Sequence, residues 1–388
     1  MKSWHRSTSC HLLRAPRRFR ARWHGHPARA HGQDGRATLG LRPCCAVALT
    51  LAVLLALVHL PSSLAAEIAK PTVDLSIYGH VGLVVWVAKD LGPVLNYYEG
   101  LGLKDIQRTN ISDRPGLVYR GKLAPTTARS AFGRIGDVLL EWMQPVTGTN
   151  LYTEFLERHG DGILALGFAV KSDQELDHQV EYFQSKGVQV VQRTQWTGPN
   201  GTGHGVYLDT AAQGGGLTLA VYYDPAGPAP TPPLALQNDY PFTKIGHYAF
   251  VVHDVRKVGD YWQSLGFGGL AVEHNVSLDR VYRGGPGEFE MDLGWGRFGD
   301  APFEWVQSTQ GPNVYQEYLR EHGEGFHHFG VSVQDMDAAL KMLGAKGALP
   351  SMAGGWDTPT SKGRFAYLDT DPHGGVTVEL IWNQPMAK

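Results

Sequence analysis

The sequence predicts an α+β fold of two tandem domains, each made of two βαβββ modules that curl into a cupped open barrel. Short motifs recur at an almost constant separation in the two halves of the chain, and a proline-rich stretch lies between the copies. Each half also repeats the order strand, helix and several strands. The chain of 388 residues is long enough for two such domains with their own cores.

The repeat identifies a duplicated domain. The segments VYRG at 118–121, GRIGD at 133–137, EW at 141–142 and HGDG at 159–162 recur as VYRG at 281–284, GRFGD at 296–300, EW at 304–305 and HGEG at 322–325. Each pair is separated by 163 residues, and YLDT at 207–210 recurs 160 residues later. Because the separation changes only by the length of a loop, the repeat indicates two copies of a whole domain.

A proline-rich stretch, DPAGPAPTPP at 224–233, lies between the copies. Proline cannot donate a hydrogen bond within a sheet, so this stretch is typical of a semi-rigid linker. We therefore place the first domain at 72–224, the linker at 225–241 and the second domain at 242–384.

The second domain is predicted to contain two successive modules. In the first module, a strand at 245–252 precedes a helix at 255–265, which has helical spacing of apolar residues and ends at Gly266. Short strands follow, the last at 303–306. The second module has a strand at 326–333, a helix at 336–346, and strands at 364–368 and 376–382. Two such modules can close one cup with their helices on the outside.

The N-terminal segment has the features of a secretory signal. Residues 1–42 contain ten Lys and Arg residues and one Asp, and the uncharged stretch at 43–60 is rich in Ala, Val and Leu. Small residues follow in PSSLA at 61–65. We predict that residues 1–66 are a cleaved signal peptide and that the protein is secreted or periplasmic. The alternative is an uncleaved N-terminal membrane anchor, because the apolar run is close to the shortest length that spans a bilayer.

The charge and the cysteine content exclude some partners and some kinds of site. Without residues 1–66 the chain has 25 basic and 36 acidic residues, a formal charge of −11, which argues against nucleic acid as a partner. All three cysteines, Cys10, Cys44 and Cys45, lie in the predicted leader. The mature protein therefore has no disulfide, thiolate ligand or cysteine nucleophile. We expect a small-molecule substrate.

Four side chains of the second domain have the composition of a metal site. His247, Glu304, His328 and Glu379 lie on the short apolar runs HYAFVV, APFEWVQ, HFGVSV and GVTVELIW. Two imidazoles and two carboxylates suit a divalent metal such as Zn, Ni, Co, Mn or Fe. Burying two carboxylates without partners is costly, which favours a metal site over a group of core residues.

These features resemble the vicinal oxygen chelate superfamily, which includes glyoxalase I, methylmalonyl-CoA epimerase, extradiol dioxygenases and bleomycin or fosfomycin resistance proteins. The resemblance covers nearly all of 72–384. Its most specific stretch, GEGFHHFGVSV at 323–333, is similar to the segment that joins the two modules in epimerase-like members. NVYQEYL at 313–319 is similar to the short helix after the glutamate strand.

The resemblance implies that the metal ligands are His247 and Glu304 from one module and His328 and Glu379 from the other. It also implies that Glu304 or Glu379 acts as the catalytic general base. Strand phase favours His328 over its neighbour, because His247 and His328 precede runs that end in valine at the same position. His327 must then face the other way, and we expect it to be a hydrogen-bonded neighbour of the site.

The first domain is predicted to have a degenerate metal site. Its counterparts of the four ligands are His80, Glu141, Ala165 and Ala220. Alanine cannot bind a metal, so this domain supports the second domain or binds a ligand without a metal. We expect His80 and Glu141 to survive as polar core residues.

Three function classes follow. The first is a metal-dependent isomerase, epimerase or lyase that transfers a proton next to a metal-bound carbonyl of a small oxygenated substrate. The second is a non-haem iron ring-cleaving dioxygenase with His247, His328 and Glu379 as ligands. Glu304 argues against it, because its carboxylate would fill a position needed for substrate and oxygen. The third is a non-enzymatic small-molecule binding protein of the resistance type.

Overall fold

We describe the protein from a computed structural model, which describes residues 72–227, 242–299 and 301–385. The predicted leader and most of the predicted linker lie outside these residues. Among the described residues, no helix combines the length and the apolar character that crossing a membrane requires.

The described residues form two sheets and six α-helices. The first sheet contains β1 (Leu83–Val87), β2 (Gln107–Arg108), β3 (Ser112–Arg114), β4 (Val118–Tyr119), β5 (Lys122–Leu123), β6 (Thr126–Ile135), β7 (Val138–Thr147), β8 (Gly162–Val170), β9 (Val190–Gly198), β10 (Gly201–Leu208) and β11 (Thr218–Tyr223). The second sheet contains β12 (His247–Val251), β13 (Ala271–Asn275), β14 (Leu278–Tyr282), β15 (Gly285–Pro286), β16 (Glu290–Phe298), β17 (Ala301–Gln310), β18 (Gly325–Ser332), β19 (Pro350–Asp357), β20 (Ser361–Leu368) and β21 (Thr377–Pro385). The helices are α1 (Leu91–Leu101), α2 (Leu151–His159), α3 (Asp173–Ser185), α4 (Val255–Ser264), α5 (Val314–His322) and α6 (Met336–Gly344), and single 3₁₀ turns occupy Leu75–Gly79 and Asp371–His373.

The two sheets have the same strand order. The first runs β2-β6-β7-β1-β8-β11-β10-β9-β4-β5 with β3 beside β6, and the second runs β13-β16-β17-β12-β18-β21-β20-β19-β14-β15. In the second sheet each module supplies one half, the halves meet where β12 pairs with β18, and the β14–β15 hairpin crosses over to pair with β19. The predicted α+β fold with cupped, open half-barrels is confirmed.

The sequence located five strands and two helices of the second domain and gave no bounds for the other strands. The predicted strands at 245–252, 303–306, 326–333, 364–368 and 376–382 correspond to β12, β17, β18, β20 and β21. The predicted helices correspond to α4 and α6, which end one to two residues earlier. No individual strand was predicted where β13, β14, β15, β16 and β19 lie. Exposed side chains dominate β13 and β14, which removes the apolar alternation that marks a half-buried strand.

Local signals set the helix boundaries. The Asp254 carboxylate accepts the backbone N–H groups of Arg256 and Lys257 at the start of α4, and Asn313 caps α5 in the same way through Gln316. Along α4 the buried residues are Val255, Val258, Gly259 and Trp262, which form one helical face. This face packs against the outer side of the second sheet, so the inner side is left for the cup.

One hydrophobic core extends through both domains, which lie in a single compact unit. The indole N–H groups of Trp262 and Trp305 in the second domain both donate to the Gly214 carbonyl of the first domain, at 3.2 Å each. In return, the indole of Trp86 in the first domain donates to the Gly374 carbonyl at 2.6 Å. Buried indole N–H groups need such partners. Each sheet is therefore held by a glycine-containing loop of the other.

A second reciprocal contact joins the two connecting helices. His159 ends α2 and its Nδ1 lies 2.6 Å from the His322 carbonyl oxygen, while His322 ends α5 and its Nδ1 lies 2.5 Å from the His159 carbonyl oxygen. The two imidazole N–H groups donate to carbonyl groups at helix ends, which otherwise lack partners. The repeat therefore has a spatial counterpart, because equivalent residues exchange equivalent hydrogen bonds.

We predict that Gly375→Ala will destabilise the protein much more than Gly187→Ala. Both glycines have positive φ, at +71° and +87°. A Cβ atom at Gly375 would lie 1.7 Å from the Asp161 carbonyl oxygen of the first domain, whereas nothing lies within 4 Å of a Cβ at Gly187. The control should lose about 1 kcal/mol through backbone strain alone. Urea unfolding of both variants measures the difference, and equal losses would contradict close packing of the domains at this loop.

Candidate metal centre

Four adjacent strands bring the predicted ligands together. The strands lie in the order β17-β12-β18-β21 and carry Glu304, His247, His328 and Glu379 respectively. Ala249 lies opposite both Glu304 and His328, and His247 is two residues before Ala249 on the same face. Glu379 lies opposite Gly330, two residues after His328, so it shares that face.

Gly330 makes room for the first imidazole. It lies opposite His247 in the β12–β18 pair, and a Cβ atom there would lie 2.2 Å from Cε1 of His247. Any side chain at this position would therefore displace the imidazole. The first domain also has a glycine, Gly167, at the same register position, although it lacks the imidazole. A comparison of the two repeats therefore does not single out Gly330.

The side-chain atoms of the four residues converge. His247 Nε2 lies 3.2 Å from His328 Nε2, 3.1 Å from Glu379 Oε2 and 3.6 Å from Glu304 Oε2. His328 Nε2 lies 3.4 Å from Glu304 Oε2 and 3.5 Å from Glu379 Oε2. All four residues are buried, and His328 has no exposed surface. The structure thus assembles the complete set that the sequence predicts, and their role as ligands remains a prediction.

These separations fit a single divalent ion. Ligand atoms at about 2.1 Å from a common metal lie roughly 3.0 to 3.4 Å apart in octahedral or tetrahedral geometry. The Oε2 atom of Glu379 is buried and has no well-oriented hydrogen-bond donor, although it faces both imidazoles. His247, Glu304 and His328 also form a group whose ligand atoms could hold a metal ion. The nitrogen and oxygen donors suit Zn, Ni, Co, Mn or Fe and leave the identity open.

The charges of the metal-free site are strongly coupled. Burial by itself lowers the pKa of His328, but the neighbouring carboxylates of Glu304 and Glu379 raise it to about 9. Burial by itself raises the pKa of Glu379, but the two imidazoles hold it well below its usual range. Without a metal, a proton on His328 therefore offsets part of the negative charge that a cation would otherwise balance.

His327 and two tyrosines surround the second imidazole. His327 Nδ1 lies 2.8 Å from His328 Nδ1, so one ring must donate and the other must accept. Burial and the nearby His328 lower the pKa of His327, which makes it a neutral acceptor for the N–H of His328. This arrangement leaves Nε2 of His328 for a metal. The prediction of His327 as a hydrogen-bonded neighbour is confirmed. The prediction that it faces the other way is wrong, because His327 is the extra residue where the β12–β18 register breaks, and its ring packs against Tyr367 as that of His328 does. The Tyr315 hydroxyl, which donates to the Tyr367 hydroxyl at 2.8 Å, was not predicted.

A cavity of about 590 Å³ opens beside the four residues. His247, Glu304 and Glu379 line it, and its other walls are mainly apolar or aromatic, formed in part by Met291, Leu293, Trp295, Tyr315, Trp356, Phe365, Tyr367 and Ile381. A cavity of this size and lining suits a small organic molecule that carries few polar groups. Trp305, which also lies on a ligand strand, is fully buried in the core and takes no part.

The first domain keeps one of the four residues. By strand register the counterparts of the ligands are Leu83, Glu141, Ala165 and Ala220. The assignment of His80 is wrong, because this residue precedes β1 by three positions, is exposed, and lies 3.9 Å from Asp137. Leu83 occupies the position of His247, since it lies opposite Gly167 as His247 lies opposite Gly330. The first domain therefore has even fewer ligands than the sequence predicts.

Comparison with known proteins supports the fold and the second domain. Residues 246–367 match the family model described as the Glyoxalase/Bleomycin resistance protein/Dioxygenase superfamily. This match lies within the second domain. The resemblance to the vicinal oxygen chelate group, to which this superfamily corresponds, is thereby confirmed. No curated protein matches the chain in sequence.

Two solved structures illustrate the likeness. A triple mutant of 4-hydroxymandelate synthase from Streptomyces coelicolor aligns with a TM-score of 0.53 and 15% identity, over 80% of this chain and 94% of that chain. The Mn(II)-bound glyoxalase from Novosphingobium aromaticivorans aligns with a TM-score of 0.45 and 15% identity, over 78% of this chain and 82% of that chain. The first likeness extends across both domains and shows the shared fold, not the reaction.

We predict that the mature protein binds about one divalent metal per chain and that His328→Ala abolishes this binding. The substitution removes an imidazole whose Nε2 lies within 3.5 Å of an atom of each of the other three residues. His80→Ala is the matched control, because it removes an exposed imidazole from the first domain. Elemental analysis by ICP-MS on untagged, anaerobically purified proteins gives the answer. Equal metal content in all three proteins would place the metal elsewhere.

The metal-free protein should lose stability as the pH rises from about 6.5 to about 9. The folded pKa of His328 is about 9 and exceeds its unfolded value of about 6.5, so its contribution is fully present below the unfolded value and is lost on passing the folded one. The loss should be roughly 1 to 3 kcal/mol. Urea unfolding of EDTA-treated protein at pH 6 and pH 9.5 measures it. Glu379→Gln, which removes one of the two carboxylates, should show a smaller loss, and an equal loss would contradict the coupling.

Proposed function

We propose that the protein is a divalent-metal enzyme that transfers a proton next to the carbonyl group of a small oxygenated substrate, as an isomerase, epimerase or lyase. The observation that carries this proposal is the buried set of two imidazoles and two carboxylates in the wall of an aromatic cavity. A bound metal would supply Lewis-acid polarisation of the substrate carbonyl, which makes the adjacent C–H bond acidic.

The residues of the candidate centre have different roles in the proposed reaction. His247 and His328 would hold the metal, and His327 keeps His328 in the tautomer that presents Nε2. Glu304 and Glu379 both line the cavity, so both can reach a bound substrate. One carboxylate accepts the proton and returns it to a neighbouring atom of the substrate.

Glu304 is the better choice for the moving base. Glu379 Oε2 lies 3.1 Å from His247 Nε2, whereas Glu304 Oε2 lies 3.6 Å from the same atom. The imidazoles also depress the pKa of Glu379, which makes its carboxylate a weak base while it remains beside them. We therefore expect Glu379 to stay with the ligand set and Glu304 to exchange the proton.

The cavity limits the substrate to a small molecule that is largely apolar. Trp295, Trp356 and Phe365 supply flat apolar walls, and three residues of the candidate centre, His247, Glu304 and Glu379, line the same cavity. A compact compound with an aromatic or aliphatic body and a carbonyl or two neighbouring oxygens satisfies both parts.

We also propose that this reaction takes place outside the cytoplasm. The basic segment, the apolar stretch and the small residues of 1–66 support export, as does a mature chain without cysteine. N-terminal sequencing of protein from the medium or periplasm tests this, because export with cleavage predicts a new terminus close to residue 66. An intact leader on membrane-bound protein would instead support an anchor.

We predict that Glu304→Gln lowers the rate of proton exchange by roughly 10²- to 10⁴-fold while the metal is retained. The amide keeps the shape of the side chain but cannot accept the proton. NMR in D₂O follows exchange at the carbon next to the carbonyl across a panel of small hydroxyketones and oxo acids. Glu157→Gln, an exposed carboxylate on α2, serves as the control and should leave the rate unchanged. Full activity of Glu304→Gln would exclude it as the base.

A second candidate is a ring-cleaving dioxygenase, favoured by the proximity of His247, His328 and Glu379, which is a two-histidine, one-carboxylate set. An oxygen electrode distinguishes it, with Fe(II)-reconstituted protein and simple catechols as substrates. Oxygen uptake that survives Glu304→Ala would favour the dioxygenase. Neither proton exchange nor oxygen uptake, in a protein that still binds small aromatic compounds, would leave the non-enzymatic binding protein.

A further inference from the structure

The cup of the first domain has kept a cavity after losing its metal ligands. This cavity of about 260 Å³ lies at the position of the second-domain cavity, with Leu83 and Ala220 where the second domain has His247 and Glu379. It is larger than a cavity of about 150 Å³ that is known to hold benzene. The loss of three ligands has therefore left a site that can take a small aromatic compound.

An ion pair replaces the metal centre. Arg114 ends β3, and its Nη2 lies 3.5 Å from Oε1 of Glu141, the one counterpart of a ligand that survives. The two side chains are only 20% and 15% exposed. The second domain has Ser277 at the position of Arg114, 163 residues along the repeat, so this cation belongs to the first domain alone. It supplies next to Glu141 the positive charge that a metal would supply next to Glu304.

The ion pair, whose two side chains line the cavity, has unused hydrogen-bonding capacity. Arg114 donates one bond from Nη2 to the Ser130 hydroxyl at 3.0 Å, while its buried Nε has no partner. Arg114 is the one close partner of the Glu141 carboxylate among the described residues. Buried polar groups are nearly always paired, so an open donor beside a lightly paired acceptor indicates a site for a complementary molecule.

The remaining walls set the charge and shape of that molecule. Tyr152 and Tyr207 place their hydroxyls 3.1 Å apart at the cavity, and Phe132 and Trp196 add aromatic surface. Asp224 lies at the cavity as well. An anion would meet the carboxylates of Glu141 and Asp224, and a cation would meet Arg114. A neutral compound avoids both conflicts.

We propose that the cup of the first domain is a second, metal-independent binding site for a small neutral aromatic compound that carries a carbonyl acceptor beside an N–H or O–H donor, such as an aromatic carboxamide. The carbonyl accepts an N–H of the Arg114 guanidinium and the donor faces the carboxylate of Glu141. Phe132 and Trp196 contact the ring. This site is independent of the reaction proposed for the second domain.

The test uses benzamide as the probe and the mature protein with both domains. Titration with ¹⁵N-labelled protein should shift the indole N–H signal of Trp196 and leave that of Trp356, its counterpart in the second domain, in place. Both signals are assigned from Trp→Phe variants. Benzoate should bind roughly tenfold more weakly than benzamide, because the carboxylates of Glu141 and Asp224 both line the cavity.

Two variants locate the site. Arg114→Leu combined with Glu141→Leu removes both charges together, so no unpaired ion remains, and should weaken benzamide binding roughly tenfold. If this protein does not fold, Ala220→Leu fills the cavity, leaves the ion pair intact and should have the same effect. Ser277→Ala, at the position of Arg114 in the second domain, should not change the affinity.

Three results would overturn the proposal. Benzamide that shifts only Trp356 would place the compound in the second cup. Tighter binding of benzoate than of benzamide would make the site an anion site. Absence of any shift of the Trp196 signal at millimolar benzamide would show that the cavity does not take this class of compound.

Discussion

The alignment of β12 between β17 and β18 is the constraint on which the candidate centre depends. Ala249 lies opposite both Glu304 and His328, so a shift of either neighbouring strand by one residue would turn a ligand to the other face of the sheet. The β12–β18 register breaks after Ala249, where Phe250 lies opposite Phe326 and His327 is the extra residue. The pairing of Ala249 with His328 is kept. Apolar residues on the outer face hold the strands in place, and the inner face is left free for chemistry.

The first domain shows what the same scaffold does when that chemistry is lost. Its strands pair in the same order and with the same break in register, yet Leu83, Ala165 and Ala220 stand where the second domain has three of the predicted ligands. Arg114 lies beside the remaining Glu141. Burial raises the pKa of this carboxyl group, and the charge of the arginine offsets part of that rise. The fold is thus independent of the predicted metal ligands, because the first domain keeps its strand pairing and its buried apolar clusters without three of them.

Much of this could be predicted from the sequence, and the failures have physical causes. His247, Glu304, His328 and Glu379 were found because each lies on a short apolar run and matches a ligand position that the resemblance implies. His80 was misassigned because the nearest histidine was chosen, whereas strand pairing places Leu83 at that position. Arg114 could not be foreseen, because β3 is short and mostly exposed and has no marked apolar pattern. The hydrogen bonds between the domains depend on loop conformations that no repeat reveals.

The shared core has a consequence for how such a chain can change over time. The Gly214 carbonyl of the first domain accepts two indole N–H groups of the second domain. One of them belongs to Trp305, the residue that follows Glu304. Deleting the first half would leave these indoles without acceptors and uncover the back of a strand that carries a ligand. The two copies are no longer interchangeable parts. The first lacks three of the four predicted ligands, but removing either copy would expose the core and the buried indoles of the other.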